Sequence, residues 1–268
     1  MIRLIVSDLD GTLLRSDKTY SEKLMPLIDK LKKRGIAFAI ATGRAIYTVQ
    51  DQFSEFLDKG AVICENGSAL LMDNKILHTA RMDKDEIREI LAAGSNVARL
   101  TPVLCGTKCG YVKSDSDPEI IRSLKKFCTR LEFLDDLEEA IMSDSICKVS
   151  FWDGIDPLKN GYERLRFLGP RFKAYPSGEK WLDVLLADED KGSCLRRLQA
   201  ITGVTPEETM CFGDHMNDTG LMENCRYSYA IKNAHPDIKK TCAFETRLTN
   251  DEDGVLYTMM EMTGTRLD

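Results

Sequence analysis

Ile2-Arg3-Leu4-Ile5-Val6-Ser7-Asp8-Leu9-Asp10-Gly11-Thr12 is the stretch that decides the fold, because an apolar, β-branched run empties there into two carboxylates and a glycine. A run of that kind reads as a buried strand ending in a loop. Asp8 and Asp10 therefore sit at a strand's carboxyl end, and in an extended segment both point to one side, with Leu9 between them. Gly11 lets the backbone turn sharply around a small anion.

Reading outward, Ser21-Glu22 starts a helix in which Leu24, Leu27, Ile28 and Leu31 recur at helical spacing and Lys30, Lys32, Lys33 and Arg34 crowd the end before Gly35. Pro26 bends its first turn. Residues 36–41 form a second buried strand, which delivers Thr42-Gly43-Arg44 into another loop. Strand, helix and strand in this order make a right-handed parallel unit. Residues 61–64 give a third strand, and Asp73-Asn74 turns a hairpin between residues 69–72 and 75–78.

From Met82 to about Ser177 the pattern changes. Acidic helices, expected over 83–93 and 117–130, alternate with half-polar strands such as 146–151. This reads as a separate α+β module whose sheet is covered on one face. Strand–helix alternation then resumes, with a strand at 181–186, a helix from Lys191, and buried strands at 209–212 and 227–231. The module is therefore inserted into the first domain.

The 268 residues, 43% of them hydrophobic, suffice for a substantial core. A balance of 37 basic against 43 acidic residues, net −6, gives no general footprint for a nucleic acid polymer or an anionic membrane. No apolar run approaches the roughly 18 residues of a membrane span, so a soluble, cytoplasmic protein without a signal peptide is expected. Nine cysteines, an odd number in a chain of this size, read as reduced thiols. Cys105 and Cys109 lack a second close Cys or His pair, and read as ordinary thiols around a turn rather than a zinc site.

Phosphoryl transfer needs a nucleophile, a proton donor for the departing alkoxide and positive charge around the phosphoryl oxygens. Asp8 is the candidate nucleophile, forming an acyl phosphate that water later cleaves, and Asp10 the acid/base. Two carboxylates facing a dianion require a cation, and Mg2+ suits an all-oxygen ligand set. Gly213-Asp214-His215-Met216-Asn217-Asp218 follows a buried strand, offering Asp214 as metal ligand, Asp218 as a supporting carboxylate and Asn217 as an amide donor. Thr42 offers a hydroxyl, Gly43 an unobstructed amide and Lys191 a fixed positive charge. All fall at the carboxyl ends of expected strands, where open α/β sheets bind ligands.

Asp8-Leu9-Asp10-Gly11-Thr12, Ala41-Thr42-Gly43-Arg44, Asp190-Lys191-Gly192 and Gly213-Asp214 through Asn217-Asp218, read in that order, resemble the haloacid dehalogenase (HAD) superfamily of phosphatases, in particular its Cof-like branch with a type IIB cap. Glu65-Asn66-Gly67 and Asn250-Asp251-Glu252-Asp253-Gly254-Val255 also resemble segments of that family. The resemblance implies an α/β fold, with a Rossmann-like core on a parallel sheet (residues 1–80 and 186–268) and an inserted α+β cap of type C2B (residues 81–185). It implies Asp8, the carbonyl of Asp10 and Asp214 as ligands of Mg2+, and Thr42, Gly43, Lys191 and Asn217 around the phosphoryl group of a small phosphorylated metabolite. Arg44 stays open between bridging phosphate or cap and a structural ion pair, His215 between tuning the metal site and a plain loop histidine, and Lys232 between added charge near the site and a solvent-facing residue, while Lys148, Trp152, Arg166 and Lys180 in the cap are not singled out by any spacing. Two other readings stand beside hydrolysis: a phosphomannomutase-like phosphomutase using the same Asp8, and a non-catalytic phosphosugar-binding protein on the same fold.

Overall fold

The computed structural model describes residues 1–125 and 128–267. In chain order its strands are β1 (Leu4–Asp8), β2 (Ala37–Ala41), β3 (Ala61–Cys64), β4 (Ala69–Met72), β5 (Lys75–Thr79), β6 (Leu100–Gly106), β7 (Gly110–Lys113), β8 (Leu131–Leu134), β9 (Ile146–Asp153), β10 (Phe172–Gly178), β11 (Trp181–Leu186), β12 (Thr209–Gly213), β13 (Tyr227–Ala230) and β14 (Phe244–Glu245). Two compact units result, one of residues 1–42, 55–77 and 190–268, the other of residues 43–54 and 78–189.

The first unit is built on a sheet in the order β14-β13-β12-β1-β2-β3-β4-β5. The pairs from β14 through to β3 are parallel, and β3 with β4 is antiparallel. Central strands are apolar on both faces, as a sheet flanked by helices demands: Leu4, Ile5, Val6, Met210, Cys211 and Phe212 are all buried. β1 lies between β12 and β2, so the loops after Asp8, Ala41 and Gly213 open side by side at one end of the sheet. The helix Leu24–Lys33 buries Leu24, Leu27, Ile28 and Leu31. Pro26 falls in its first turn, where no intrahelical donor is lost. Asp73 and Asn74, at φ of 50° and 57°, make the expected two-residue turn between β4 and β5.

The second unit carries a sheet in the order β10-β11-β9-β6-β7-β8, antiparallel except for β7 with β8. The helix Lys84–Ser95 is closed at its start by a capping box of Asp83 with Glu86. Its Ile87 and Ile90 join Leu104, Val149, Phe151, Leu182 and Val184 in the main core.

Three expectations change here. β9 is buried at every position rather than half-polar, because Lys148 and Ser150 on one face both bond to Asp183 of β11, at 3.0 and 2.7 Å. A second apolar cluster of Val103, Val112, Ile120, Leu124 and Trp152 lies opposite the main one, so the sheet is not covered on one face alone. The helix expected over 117–130 spans only Pro118–Leu124, residues 126–127 lie outside the described ones, and Leu131 already opens β8. Arg130 and Thr129 are instead drawn to Asp51, by bonds from Arg130 Nε at 3.0 Å and Thr129 Oγ1 at 2.7 Å. Those bonds also show why residues 43–54 pack with 78–189 rather than with the segments that flank them. All nine cysteines are free thiols.

Candidate active site

β1 ends at Asp8, and the chain turns at once because the amides of Leu13 and Leu14 both return to the Leu9 carbonyl, at 3.0 and 2.8 Å. Gly11 has φ of +82°, and a Cβ there would stand 2.5 Å from Asp214 Oδ2. Both conformation and space therefore require glycine. Thr12 Oγ1 donates to Asp214 Oδ1 at 3.4 Å. Asp10 lies on the outer side of this loop, where its Oδ1 accepts Lys18 Nζ at 3.0 Å and both side chains are well exposed.

The late segment expected from resemblance alone holds the loop in place. Arg15 donates to both oxygens of Asp253, at 3.0 and 2.8 Å, and Ser16 donates through its amide and hydroxyl to Asp251 at 2.7 and 2.8 Å. Asn233 Nδ2 donates to the Gly11 carbonyl at 2.9 Å, and the Asn233 side-chain oxygen accepts the Asn250 amide at 3.0 Å.

Lys191 is the first residue of the helix Lys191–Thr202, whose start is fixed by a capping box between Asp190 and Ser193. Its side chain has no solvent exposure, and Nζ donates to Asp8 Oδ1 at 2.7 Å and Asp218 Oδ1 at 2.6 Å. Asp218 uses its other oxygen to accept the amides of Asp214 and His215, at 3.0 and 3.3 Å. It thereby shapes the turn that carries Asp214. Asp8 Oδ2 is buried and has no hydrogen-bond partner among the described residues.

One ligand atom each from Asp8, Asp214 and Asp218 lies within 4.8 Å of the others. Three carboxylates thus face one ammonium, and their proton affinities respond. Burial raises Asp8 well above the usual carboxylate range; Lys191 opposes the rise, while Asp218 and Asp214 add to it. Burial, then Asp218, pushes Asp214 up to about 7. For Lys191, burial alone would lower the ammonium, and the Asp218 and Asp8 carboxylates outweigh it, so the net shift is upward. A cluster that resists full ionisation and retains one unbonded buried carboxylate oxygen fits a hard divalent cation with oxygen ligands.

The remaining expected residues are also placed. Thr42 is buried after β2, its amide bonded to the Ile63 carbonyl at 2.8 Å and its carbonyl to the Asn66 amide at 3.0 Å. Gly43 opens the second unit, where its carbonyl accepts Lys148 Nζ at 3.2 Å. Asn217 Nδ2 donates to Asn66 Oδ1 at 3.1 Å. Hydrogen bonds thus bring Asp8, Lys191, Asp214 and Asp218 together directly, link Asn217 to Thr42 through Asn66, and leave Asp10 paired outward with Lys18. The three residues whose roles the sequence leaves open are also located: Arg44 lies over the Phe53 ring and bonds Gln52, His215 is exposed with its ring against His235, and Lys232 is exposed. Sequence reasoning passed over Asn66, Asn233 and Asp253 as individuals; the Asn66-Gly67 pair, a signal for a left-handed turn, was the one local clue.

The sequence profile of the haloacid dehalogenase-like hydrolases matches residues 5–259, and the chain belongs to that family. It is an enzyme of the phosphatase class, like its curated relatives. It is 24% identical over 257 residues to the 5-amino-6-(5-phospho-D-ribitylamino)uracil phosphatase YbjI of Escherichia coli K12, covering 95% of this chain and 94% of that protein. It is 28% identical over 244 residues to the HMP-PP phosphatase of Enterobacter sp. strain 638, covering 89% and 87%. A solved HAD subclass IIB sugar phosphatase, 19% identical, superposes with a TM-score of 0.80 over 98% of this chain and 99% of that one. The fold is therefore the α/β HAD fold with an α+β insertion.

Proposed function

We propose that the protein hydrolyses the phosphomonoester of a small metabolite through an aspartyl phosphate on Asp8, with Mg2+ as cofactor. The observation that carries this reading is the state of Asp8: one oxygen is held by Lys191 at 2.7 Å, the other is buried without a hydrogen bond among the described residues, and the carboxylate clusters with those of Asp214 and Asp218. Asp8, the Asp10 carbonyl and Asp214 are the residues that would hold the cation. Magnesium, when bound, offsets the repulsion between these carboxylates and a phosphate dianion.

Asp8 attacks phosphorus, and the ester oxygen departs with a proton from Asp10, whose side chain must first leave Lys18 and turn toward the substrate. Asp10 then takes a proton from water, which cleaves the acyl phosphate and restores Asp8. Lys191, Thr42, the Gly43 amide and Asn217 hold the phosphoryl oxygens, and Asp218 orients Lys191 and the Asp214 backbone. Residues 1–80 and 186–268 form the catalytic core in this assignment, and residues 81–185 the cap that selects the leaving group. The relatives support the substrate class, being named for a ribitylaminouracil phosphate, HMP-PP and sugar phosphates. A net charge of −6 argues against a nucleic acid polymer as substrate, and among the described residues no helix is long and apolar enough to cross a membrane.

Phosphate release from sugar phosphates, nucleotides, flavin mononucleotide and pyridoxal phosphate, measured with magnesium and then with a chelator, tests the reading. At least one substrate is expected to turn over with magnesium, and Asp8→Ala to abolish that turnover. Full activity in Asp8→Ala, or interconversion of hexose phosphates without phosphate release, would overturn it.

A further inference from the structure

Glu65, Asn66 and Gly67 follow β3 with three successive positive φ angles, 52°, 54° and 103°. Glycine and asparagine tolerate that region, but a glutamate there is strained, and such strain persists only where the surroundings over-determine it. Three contacts do so. The Asn66 amide donates to the Thr42 carbonyl at 3.0 Å. Gly67 lies so close to the start of the helix Lys191–Thr202 that a Cβ would fall 2.5 Å from the Lys191 backbone nitrogen. Asn66 Oδ1 accepts Asn217 Nδ2 at 3.1 Å. One turn therefore touches the segments that carry Thr42, Lys191 and Asn217.

We propose that Asn66 is a positioning residue for the phosphoryl pocket, acting through the Asn217 amide. This rests on the assignment of Asn217 to the phosphoryl group. An amide side chain presents two N–H donors on one edge and an oxygen on the other, and in isolation nothing decides which edge faces an anion. Committing one Asn217 N–H to Asn66 Oδ1 fixes the flip and the plane, and leaves the second N–H of the same nitrogen for a phosphoryl oxygen. With the Asn66 oxygen facing Asn217, the alternative flip of Asn217 sets its own oxygen against it, two acceptors with no proton between them. The backbone bond from Asn66 to Thr42 ties the same turn to the pocket's hydroxyl donor. Asn66 touches no substrate in this arrangement; it sets the donors that do.

The test is a double-mutant cycle on the full-length protein with magnesium, using the best substrate of the panel and inorganic phosphate as competitive inhibitor. Asn66→Gly keeps the left-handed turn and removes the acceptor. It is expected to lower kcat/KM about tenfold, the size of one lost hydrogen bond, and to weaken inhibition by inorganic phosphate in step. Asn217→Ala is expected to lose at least as much, and the double variant to lose little beyond Asn217→Ala. Asn66→Asp, which also tolerates the turn and keeps an oxygen toward Asn217, provides the second background, in which Asn217→Ala retains its full cost. Wild-type values in Asn66→Gly, or losses that multiply in the double variant, would overturn the inference and leave the phosphatase reading intact. No loss in Asn217→Ala would overturn the inference together with the assignment of Asn217.

Discussion

Lys191 Nζ stands 2.7 Å from Asp8 Oδ1, with the lysine side chain fully excluded from solvent and the aspartate 7% exposed. The same ammonium serves Asp218, so a single buried cation holds two carboxylates from separate elements of the first unit. Removing one partner of such a cluster strands the others, which costs far more than the net worth of the pair.

Lys191→Met is therefore expected to destabilise the fold by about 3–5 kcal/mol as well as to abolish turnover. Lys191→Arg should fail to restore activity, because a buried ammonium that bonds two carboxylates at 2.6–2.7 Å is not replaced in place by a larger planar guanidinium. Urea unfolding paired with phosphate release checks both; wild-type stability in Lys191→Met would show that the ion cluster does not hold these elements together.

The raised proton affinities of Asp8 and Asp214 set a direction for stability against pH. A carboxylate whose folded pKa lies above its unfolded value of 3.8 binds more protons folded than unfolded, so its contribution is greatest below 3.8 and is lost as pH rises through the folded value, about 7 for Asp214. Melting temperatures in a chelator should accordingly fall from pH 5 to pH 8. Saturating magnesium, which binds the ionised carboxylates, should reduce or reverse that slope. The same slope with and without magnesium would show that these carboxylates do not take the cation.

At Gly11 a Cβ would approach Asp214 Oδ2 to 2.5 Å, in a backbone conformation with φ of +82°. Gly11→Ala is expected to displace the Asp214 carboxylate and raise the magnesium concentration for half-maximal activity about tenfold or more, the range seen when a metal ligand's supporting contacts are disturbed. A magnesium titration of turnover reads this directly. An unchanged midpoint would mean that Asp214 does not ligate the metal.

Much of the first unit was legible because its strands are short, largely apolar and buried runs, a signal that does not depend on distant partners: the expected 36–41, 61–64 and 209–212 fall within a residue of β2, β3 and β12. The second unit was harder. Lys148 and Ser150 made β9 look half exposed, and only Asp183, 35 and 33 residues further on, makes their burial tolerable. The helix expected to Arg130 stops at Leu124, where bonds to Asp51, 78 and 79 residues away in sequence, hold Thr129 and Arg130 in another conformation.

The sequence by itself determined the α/β class, the order of the segments that end in Asp8, Thr42 and Asp214, and the residue types available for chemistry, since periodicity, turn residues and composition are local properties. Tertiary structure decided how those groups are held. It placed Lys191 between Asp8 and Asp218, turned Asp10 outward to Lys18, tied the Gly11 loop to Asn233 and the Arg15 segment to Asp253, and set Asn66 against Asn217. Hydrogen bonds and ion pairs act over about 3 Å whatever the separation along the chain, so only the folded path of the backbone could pair residues as distant as Asp8 and Lys191.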